Sequence, residues 1–554
     1  MLERQDGPLI VQSDMTVLLD NEHPLAERAR EELCGFSELV KRPGNWHTYR
    51  ITALSLWNAA GAGIGEDRVT ETLTKYARYG VPGYVEATVR KLLDRYGRLV
   101  LEKSGETLLL RGNGDLLNEL FGAGAMQEWL GERVSDEEWA VKGEYRGQLK
   151  QELTRLGYPV IDLAGYHSGE ELRLSLRSPT LRGKLFYLRD YQRQALELFY
   201  REGSIQGGSG VIVLPCGAGK TVVGLAALAR HSSATLILTS NATSVKQWKD
   251  ELLDKTTLSP SEVGEYTGAV KQVRPVTIAT YQILTHRKSK EDPFRHMKLF
   301  SERDWGLIIY DEVHLLPAPV FRMTAEIQAT RRLGLTATLV REDGCAEDVF
   351  SLIGPKQYDM MWKTMEAKGH IASVTCTEIR VPLDQGAVDL YRSAQNRARL
   401  RLAAENPGKL NVVKQLLEKH EGTPTLIIGQ YLKQLHSVAD TLGVPVITGE
   451  LAQSDRQNLY DRFKSGDIPV LAVSKVANFA VDLPDAAVAI QISGSYGSRQ
   501  EEAQRIGRIL RPKQGKNEAW FYTIVTDETS ETDFAAKRQL FMVEQGYAYT
   551  LRKR

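Results

Sequence analysis

The stretch Val211-Ile212-Val213-Leu214-Pro215-Cys216-Gly217-Ala218-Gly219-Lys220-Thr221, followed by Val222-Val223-Gly224-Leu225-Ala226-Ala227-Leu228, decides the fold. A β-rich apolar run breaks into a glycine turn and resumes as a helix. That order aims backbone N–H groups and the positive end of a helix at one point, which suits phosphate oxygens. Gly217 and Gly219 allow close approach, Lys220 would reach the β and γ phosphates of ATP, and the Thr221 hydroxyl would ligate Mg²⁺. The strict G-x-x-x-x-G-K-[ST] pattern has glycine where this chain has Leu214, so the turn is expected to be built around Pro215 and Gly217.

Working outward, short β-rich runs at 211–214, 235–239, 276–279, 306–310 and 332–335 alternate with helical segments, the pattern of a parallel sheet. Asp311 and Glu312 follow the aliphatic run Leu307-Ile308-Ile309-Tyr310, which places both carboxylates at the carboxyl end of a buried strand. There Asp311 would hold the metal and Glu312 would orient or deprotonate the attacking water. A zinc-protease reading of Glu312 and His314 needs H-E-x-x-H, which this segment lacks. Thr336 and Thr338, after the next strand, are turn residues when taken alone; in this order they read, with Thr280 and His314, as coupling hydrolysis to a nucleic-acid face. In Gln504-Arg505-Ile506-Gly507-Arg508-Ile509-Leu510-Arg511, Arg508 and Arg511 lie three apart on one helical face, suited to a γ-phosphate, with Gln504 beside them. In isolation the same segment is a basic surface helix.

The β/α grammar returns at 425–428, 444–447, 470–473, 487–492 and 519–525, so a second α/β lobe follows the first. Ahead of both, 25–39, 69–76 and 85–96 are helical in period and 99–101 and 107–110 strand-like; then come a helix at 147–156 and an alternating run at 172–176. Residues 389–404 read as a helix carrying Arg392, Arg397, Arg399 and Arg401, either a solvated face or a DNA-gripping insertion. A chain of 554 residues suggests about three to five domains. With a net charge of +1, any nucleic-acid surface must be a local basic track. Cys34, Cys216, Cys345 and Cys376 form no C-x-x-C pair, which argues against zinc, an iron–sulfur cluster or a disulfide framework. No apolar run approaches the ~18 residues of a spanning helix. A cytoplasmic protein with no membrane association is expected.

The phrases Leu214-Pro215-Cys216-Gly217-Ala218-Gly219-Lys220, Leu333-Gly334-Leu335-Thr336-Ala337-Thr338-Leu339-Val340-Arg341-Glu342-Asp343 and Glu502-Ala503-Gln504-Arg505-Ile506-Gly507-Arg508 resemble the XPB family of superfamily 2 helicases and translocases. The resemblance implies an α/β fold with two RecA-like parallel-sheet lobes and a helical thumb insertion, preceded by small α+β amino-terminal domains. It divides the chain into an amino-terminal domain (1–130), a damage-recognition-like module (135–182), a first lobe (183–350) and a second lobe (351–554) with the thumb at about 384–408. Leu188-Arg189-Asp190-Tyr191-Gln192 resembles the adenine-reading Q motif, with Arg189 and Gln192 as its readers. Arg341-Glu342-Asp343 resembles the RED motif, implicated in opening duplex DNA. Ser474-Lys475-Val476 and Asp482-Leu483-Pro484 resemble motif V, with Ser474 and Lys475 toward DNA and Asp482 toward the nucleotide. The implied activity is a DNA-dependent ATPase, a 3′–5′ helicase or translocase in repair or fork processing on single-stranded, forked or duplex DNA. Its alternative is an ATP-driven switch, or a duplex translocase, that remodels DNA for a partner nuclease. A bacterial or archaeal type and a monomer are expected.

Overall fold

The structure, a computed structural model, describes residues 6–41, 45–122, 126–287, 289, 292–328, 330–338, 346–474, 486–494, 499–507, 509–513 and 517–554. By its internal contacts the chain forms two compact units. The first is Met1–Leu214 with Gly219–Asp359; the second is Met360–Arg554 with Pro215–Ala218.

The first unit is built on a seven-stranded sheet, in spatial order Val263–Tyr266, Val276–Thr280, Thr235–Thr239, Leu307–Asp311, Arg331–Thr336, Ser209–Val213 and Lys356–Asp359. Every neighbouring pair is parallel. Its central strands are buried throughout, Leu236, Ile237, Leu238 and Ile309 among them. Burial on both faces explains why they read as continuous aliphatic runs without alternation. The register sets Val213 opposite Thr336, and Leu335 opposite Asp311. The carboxyl ends of three adjacent strands therefore present Leu214, Thr336 and Asp311 side by side, where open parallel sheets bind ligands.

The second unit contains another all-parallel seven-stranded sheet, ordered Val446–Ile447, Val470–Val473, Thr425–Ile428, Val488–Gln491, Glu518–Thr526, Ser373–Val381 and Tyr549–Lys553. The helix expected over 389–404 is two helices, Gln385–Ser393 and Asn396–Ala404, with Ala394 and Gln395 extended. Arg399 accounts for the break: its guanidinium donates to the carbonyls of Tyr391 and Arg392, closing the first helix at its carboxyl end. Arg401 is paired with Glu405, and Arg392 and Arg397 are exposed.

Ahead of the first parallel sheet lie two smaller sheets. An antiparallel sheet takes the order Leu9–Val11, Thr16–Asp20, Trp46–Arg50, Glu38–Lys41. The helical reading of 25–39 ends early, because the helix Ala26–Leu33 stops before Gly35 and the chain re-enters this sheet. A five-stranded sheet follows, ordered Leu130–Ser135, Glu138–Val141, Thr107–Arg111, Leu99–Ser104, Val160–Leu163. The boundary drawn at 130–135 thus falls inside one sheet: Leu110, before it, pairs with Trp139, after it. The alternating run at 172–176 is no strand of any sheet. Leu172 and Arg177 donate their N–H groups to Ser232 and Lys255, at the ends of two helices, leaving only isolated bridges.

Candidate nucleotide and coupling site

The turn after Ser209–Val213 has the backbone that its glycines permit: Gly217 and Gly219 sit at φ +81° and +80°. At Gly219 a Cβ would also lie 2.6 Å from Gln192 Nε2. Gln192 is buried, and its Oε1 accepts the Arg189 N–H at 3.0 Å, so both residues stand beside the phosphate-loop turn at the start of the helix Asp190–Tyr200. The helix Lys220–His231 begins directly after Gly219, with Thr221 in its first turn.

The acidic pair ends the strand Leu307–Asp311. Asp311 Oδ2 accepts the Trp248 indole N–H at 2.9 Å and the Thr239 hydroxyl at 3.5 Å, and Oδ1 accepts the Glu312 N–H at 3.1 Å. Burial, together with the neighbouring Glu312 carboxylate, pushes Asp311 up to about 6, against the Trp248 N–H and the Lys220 ammonium. Glu312 is left-handed at φ 51°, ψ 51°, a conformation uncommon outside glycine and held only where the surroundings enforce it. Here Leu315 N–H bonds to Glu312 O at 2.8 Å and the Tyr281 hydroxyl to Asp311 O at 2.9 Å. Thr280 serves this turn: it is buried, and its hydroxyl accepts the Ile283 N–H at 3.2 Å, capping Tyr281–Leu284.

From Glu312 a polar chain runs inward. Glu312 Oε2, buried and without a hydrogen-bond partner, lies 3.5 Å from His314 Nδ1, and Nδ1 lies 2.7 Å from Thr336 Oγ1. Thr336 gives its one hydroxyl proton to Thr338 O and accepts the Thr338 N–H at 3.0 Å, so His314 Nδ1–H is the donor to Thr336. Thr336 O also accepts the Leu214 N–H at 3.0 Å, which returns the chain to the phosphate loop.

Asp311 and Thr221 are hard oxygen donors. The described residues hold no cluster of three or more His, Cys, Asp or Glu side chains that could cage a metal. One carboxylate, one hydroxyl and substrate phosphates are the donor set Mg²⁺ takes in nucleotide enzymes, and these residues fit it.

Residues 365–553 match the family model described as ERCC3/RAD25/XPB C-terminal helicase, residues 185–341 the type III restriction enzyme res subunit, and residues 9–135 a helicase conserved C-terminal domain. The chain is 51% identical to the DNA 3′-5′ helicase XPB of Kineococcus radiotolerans over 99% of its own length and 96% of the relative's. The chain belongs to the XPB family. A second XPB relative, the DNA 3′-5′ helicase XPB of Mycobacterium tuberculosis, is 50% identical over 99% of this chain and 98% of that one. The XPB/SSL2 helicase/translocase subunit of general transcription and DNA repair factor IIH from Saccharomyces cerevisiae is 31% identical over 97% and 71%.

Of the XPB-type motif residues, Arg189, Gln192, Gly219, Lys220, Thr221, Asp311, Glu312, His314, Thr336 and Thr338 belong to the first unit, around the ends of its central strands. In the second unit Ser474 follows the strand Val470–Val473 with its hydroxyl buried, and Gln504 sits in the helix Arg499–Gly507. Arg341, Glu342, Asp343, Lys475, Asp482 and Arg508 lie outside the described residues, and Arg511 is half-buried and lies past the end of the helix Arg499–Gly507, not on the helical face expected for it. The helix Arg499–Gly507 is not the basic surface helix that its composition allows. Arg505 is buried and donates to Gln491 Oε1 at 2.6 Å, and the buried Glu502 accepts from Gln491 Nε2 at 3.2 Å and Tyr549 at 3.2 Å. Sequence reasoning also missed Trp248, Thr239 and Tyr281. Their one signal was an aromatic or hydroxyl among otherwise apolar positions, which core packing explains equally well.

Proposed function

We propose that this chain is an ATP-dependent 3′–5′ DNA helicase or translocase acting in DNA repair or fork processing. The observation that carries the reading is the polar chain from Glu312 through His314 and Thr336 to Thr338, which begins at the acidic pair and ends just before the Arg341-Glu342-Asp343 segment. The names of the XPB relatives, DNA 3′-5′ helicases, support the substrate.

In this reading the backbone around Gly217 and Gly219 cradles phosphate oxygens, Lys220 neutralises the β and γ phosphates, and Arg189 and Gln192 read adenine. Mg²⁺, when bound, supplies charge neutralisation on the transferring phosphoryl group. Thr221 and Asp311 hold that ion, and Glu312 orients the attacking water and takes its proton. Arg508, Arg511 and Gln504 stabilise the charge that develops on the γ-phosphate, and Asp482 assists at the nucleotide. A change at Glu312 passes through His314 to Thr336 and Thr338, and from there to Arg341, Glu342 and Asp343 at the duplex junction. Ser474 and Lys475 hold the DNA from the second unit, and Thr280 keeps the turn that carries Tyr281 against the acidic strand.

A second reading, an ATP-driven switch that remodels DNA for a partner nuclease, draws on how the amino-terminal region packs. Lys150 Nζ donates to Gln328 at 2.8 Å, and at Gly147 a Cβ would lie 2.2 Å from Ala325 O. The helix Arg146–Arg155 is therefore seated on the helix Ala318–Glu326, which follows the acidic motif. Steady-state ATP hydrolysis measured with single-stranded, duplex and forked DNA and with RNA at one salt concentration tests the proposal, since salt alone shifts phosphate-driven affinity. Stimulation by DNA and not RNA, abolished in Lys220→Ala, is expected. Equal stimulation by RNA, or full turnover in Lys220→Ala, would refute it. DNA-stimulated hydrolysis with neither strand separation on a forked substrate nor movement along DNA would select the second reading.

A further inference from the structure

We infer that Trp248 is a positioning residue for ATP hydrolysis, its indole N–H holding the Asp311 carboxylate in the orientation that receives the metal. Two independent features carry this. The first is the bond itself: Trp248 Nε1 lies 2.9 Å from Asp311 Oδ2, and the ring is 1% exposed, so the indole N–H is shielded from solvent. The second is the space made for the ring. Gly224 lies within the helix Lys220–His231, and a Cβ there would come within 2.5 Å of Trp248 Cη2 and 3.2 Å of Leu335 Cδ1. A glycine inside a helix is unfavourable in itself, and this one admits the indole between the phosphate-loop helix and the acidic strand.

The carboxylate has two anchors of different kinds. Oδ1 accepts the Glu312 N–H at 3.1 Å, a bond local to the turn that moves with it. Oδ2 is held chiefly from outside, by the helix Ala242–Lys255 that carries Trp248, with the Thr239 hydroxyl more distant at 3.5 Å. That helix starts at a fixed point, because Asn241 Oδ1 accepts the Ser244 N–H at 3.0 Å. An indole N–H is a donor only, so the contact cannot reverse, and it leaves the carboxylate's other lone pairs for a cation. The competing explanation is that Trp248 only fills the core. Phenylalanine would fill most of the same space, and the N–H is the group that separates the two explanations.

The inference rests on the reading of Asp311 as a metal ligand given above, and the test keeps the two apart. In Trp248→Phe, the Mg²⁺ concentration for half-maximal ATP turnover should rise by about 10- to 100-fold, the usual cost of removing a hydrogen bond behind a metal ligand. At saturating Mg²⁺ the KM for ATP should stay near that of the wild type while kcat falls, and a fluorescent ADP analogue in EDTA should bind equally well. Gly224→Ala, which keeps every polar group and displaces the ring, should shift the Mg²⁺ requirement in the same direction. Mg²⁺ titrated into the nucleotide-bound protein, which has 8 tryptophans, should change an emission component that Trp248→Phe lacks. An unchanged Mg²⁺ requirement in Trp248→Phe, with Asp311→Asn inactive, overturns the role of Trp248 and leaves the site reading standing. Turnover at the wild-type rate in Asp311→Asn overturns the site reading itself. A Trp248→Phe protein that loses melting temperature and metal-free nucleotide binding together with turnover also overturns the role, since Trp248 is then only core.

Discussion

One imidazole through which acid should weaken the unit that carries the phosphate-loop helix is His231, the last residue of that helix. The rings of Phe199 and Tyr200 stand at 5.9 Å and 5.2 Å from it, and its Nε2 is buried without a hydrogen-bond partner. Burial, with the Arg331 guanidinium nearby, pushes its pKa from 6.5 down to about 3. The unfolded chain takes up a proton as pH falls through 6.5, and the folded chain does not until about 3. The contribution is therefore intact above 6.5 and lost progressively between those values. At about pH 5 the linkage amounts to about 2 kcal/mol. His231→Phe keeps the edge contacts and removes the titration. Its melting temperature relative to the wild type should rise by about 2–3 °C between about pH 7.5 and about pH 5, taking ~1–1.5 °C per kcal/mol for a unit of roughly 350 residues. Scanning calorimetry of both full-length proteins at the two pH values measures it. A difference between the proteins that stays constant with pH would refute the assignment of the acid sensitivity to His231.

Glu312→Gln should bind Mg·ATP and hydrolyse it slowly, so that the complex accumulates in rapid-mixing experiments; loss of nucleotide binding would mean that Glu312 holds the site together. Thr336→Val removes the acceptor for both His314 Nδ1–H and the Thr338 N–H, at a cost of about 1–3 kcal/mol for the groups left buried. Its unwinding per ATP hydrolysed should drop, and an unchanged ratio in stopped-flow unwinding and ATPase measurements would remove these threonines from the coupling path. Asp162 lies 2.7 Å from Arg146 and 2.8 Å from Lys150, all three side chains buried, and desolvation already lowers Lys150 to about 8. Asp162→Asn leaves two buried cations without their counter-charge and should cost about 3–5 kcal/mol in urea unfolding; a loss below about 1 kcal/mol would show that water reaches the pair.

The sequence alone determined the local chemistry. A glycine-rich turn between an aliphatic run and a helix, and two carboxylates at the end of another such run, are legible because the residues involved are adjacent in the chain. Their backbone geometry follows from residue type, as at Gly217 and Gly219. Periodicity likewise located the five inner strands of the first sheet, since burial on both faces leaves continuous aliphatic runs. It passed over Lys356–Asp359 and Val263–Tyr266, edge strands whose polar and glycine content carries no such signal. Only the tertiary structure decided adjacency. Nothing in the order of residues sets Arg331–Thr336 between Leu307–Asp311 and Ser209–Val213; that follows from sheet pairing over more than a hundred residues, and it brings Leu214, Asp311 and Thr336 to one edge. The same long-range pairing joins Leu99–Ser104 to Val160–Leu163 across an apparent domain boundary. It also turns Trp248 and Arg505, a core aromatic and a surface charge by composition, into partners of Asp311 and Gln491. A side chain's propensity and period are properties of its neighbours in the chain, whereas its hydrogen-bond partner is a property of the packed fold.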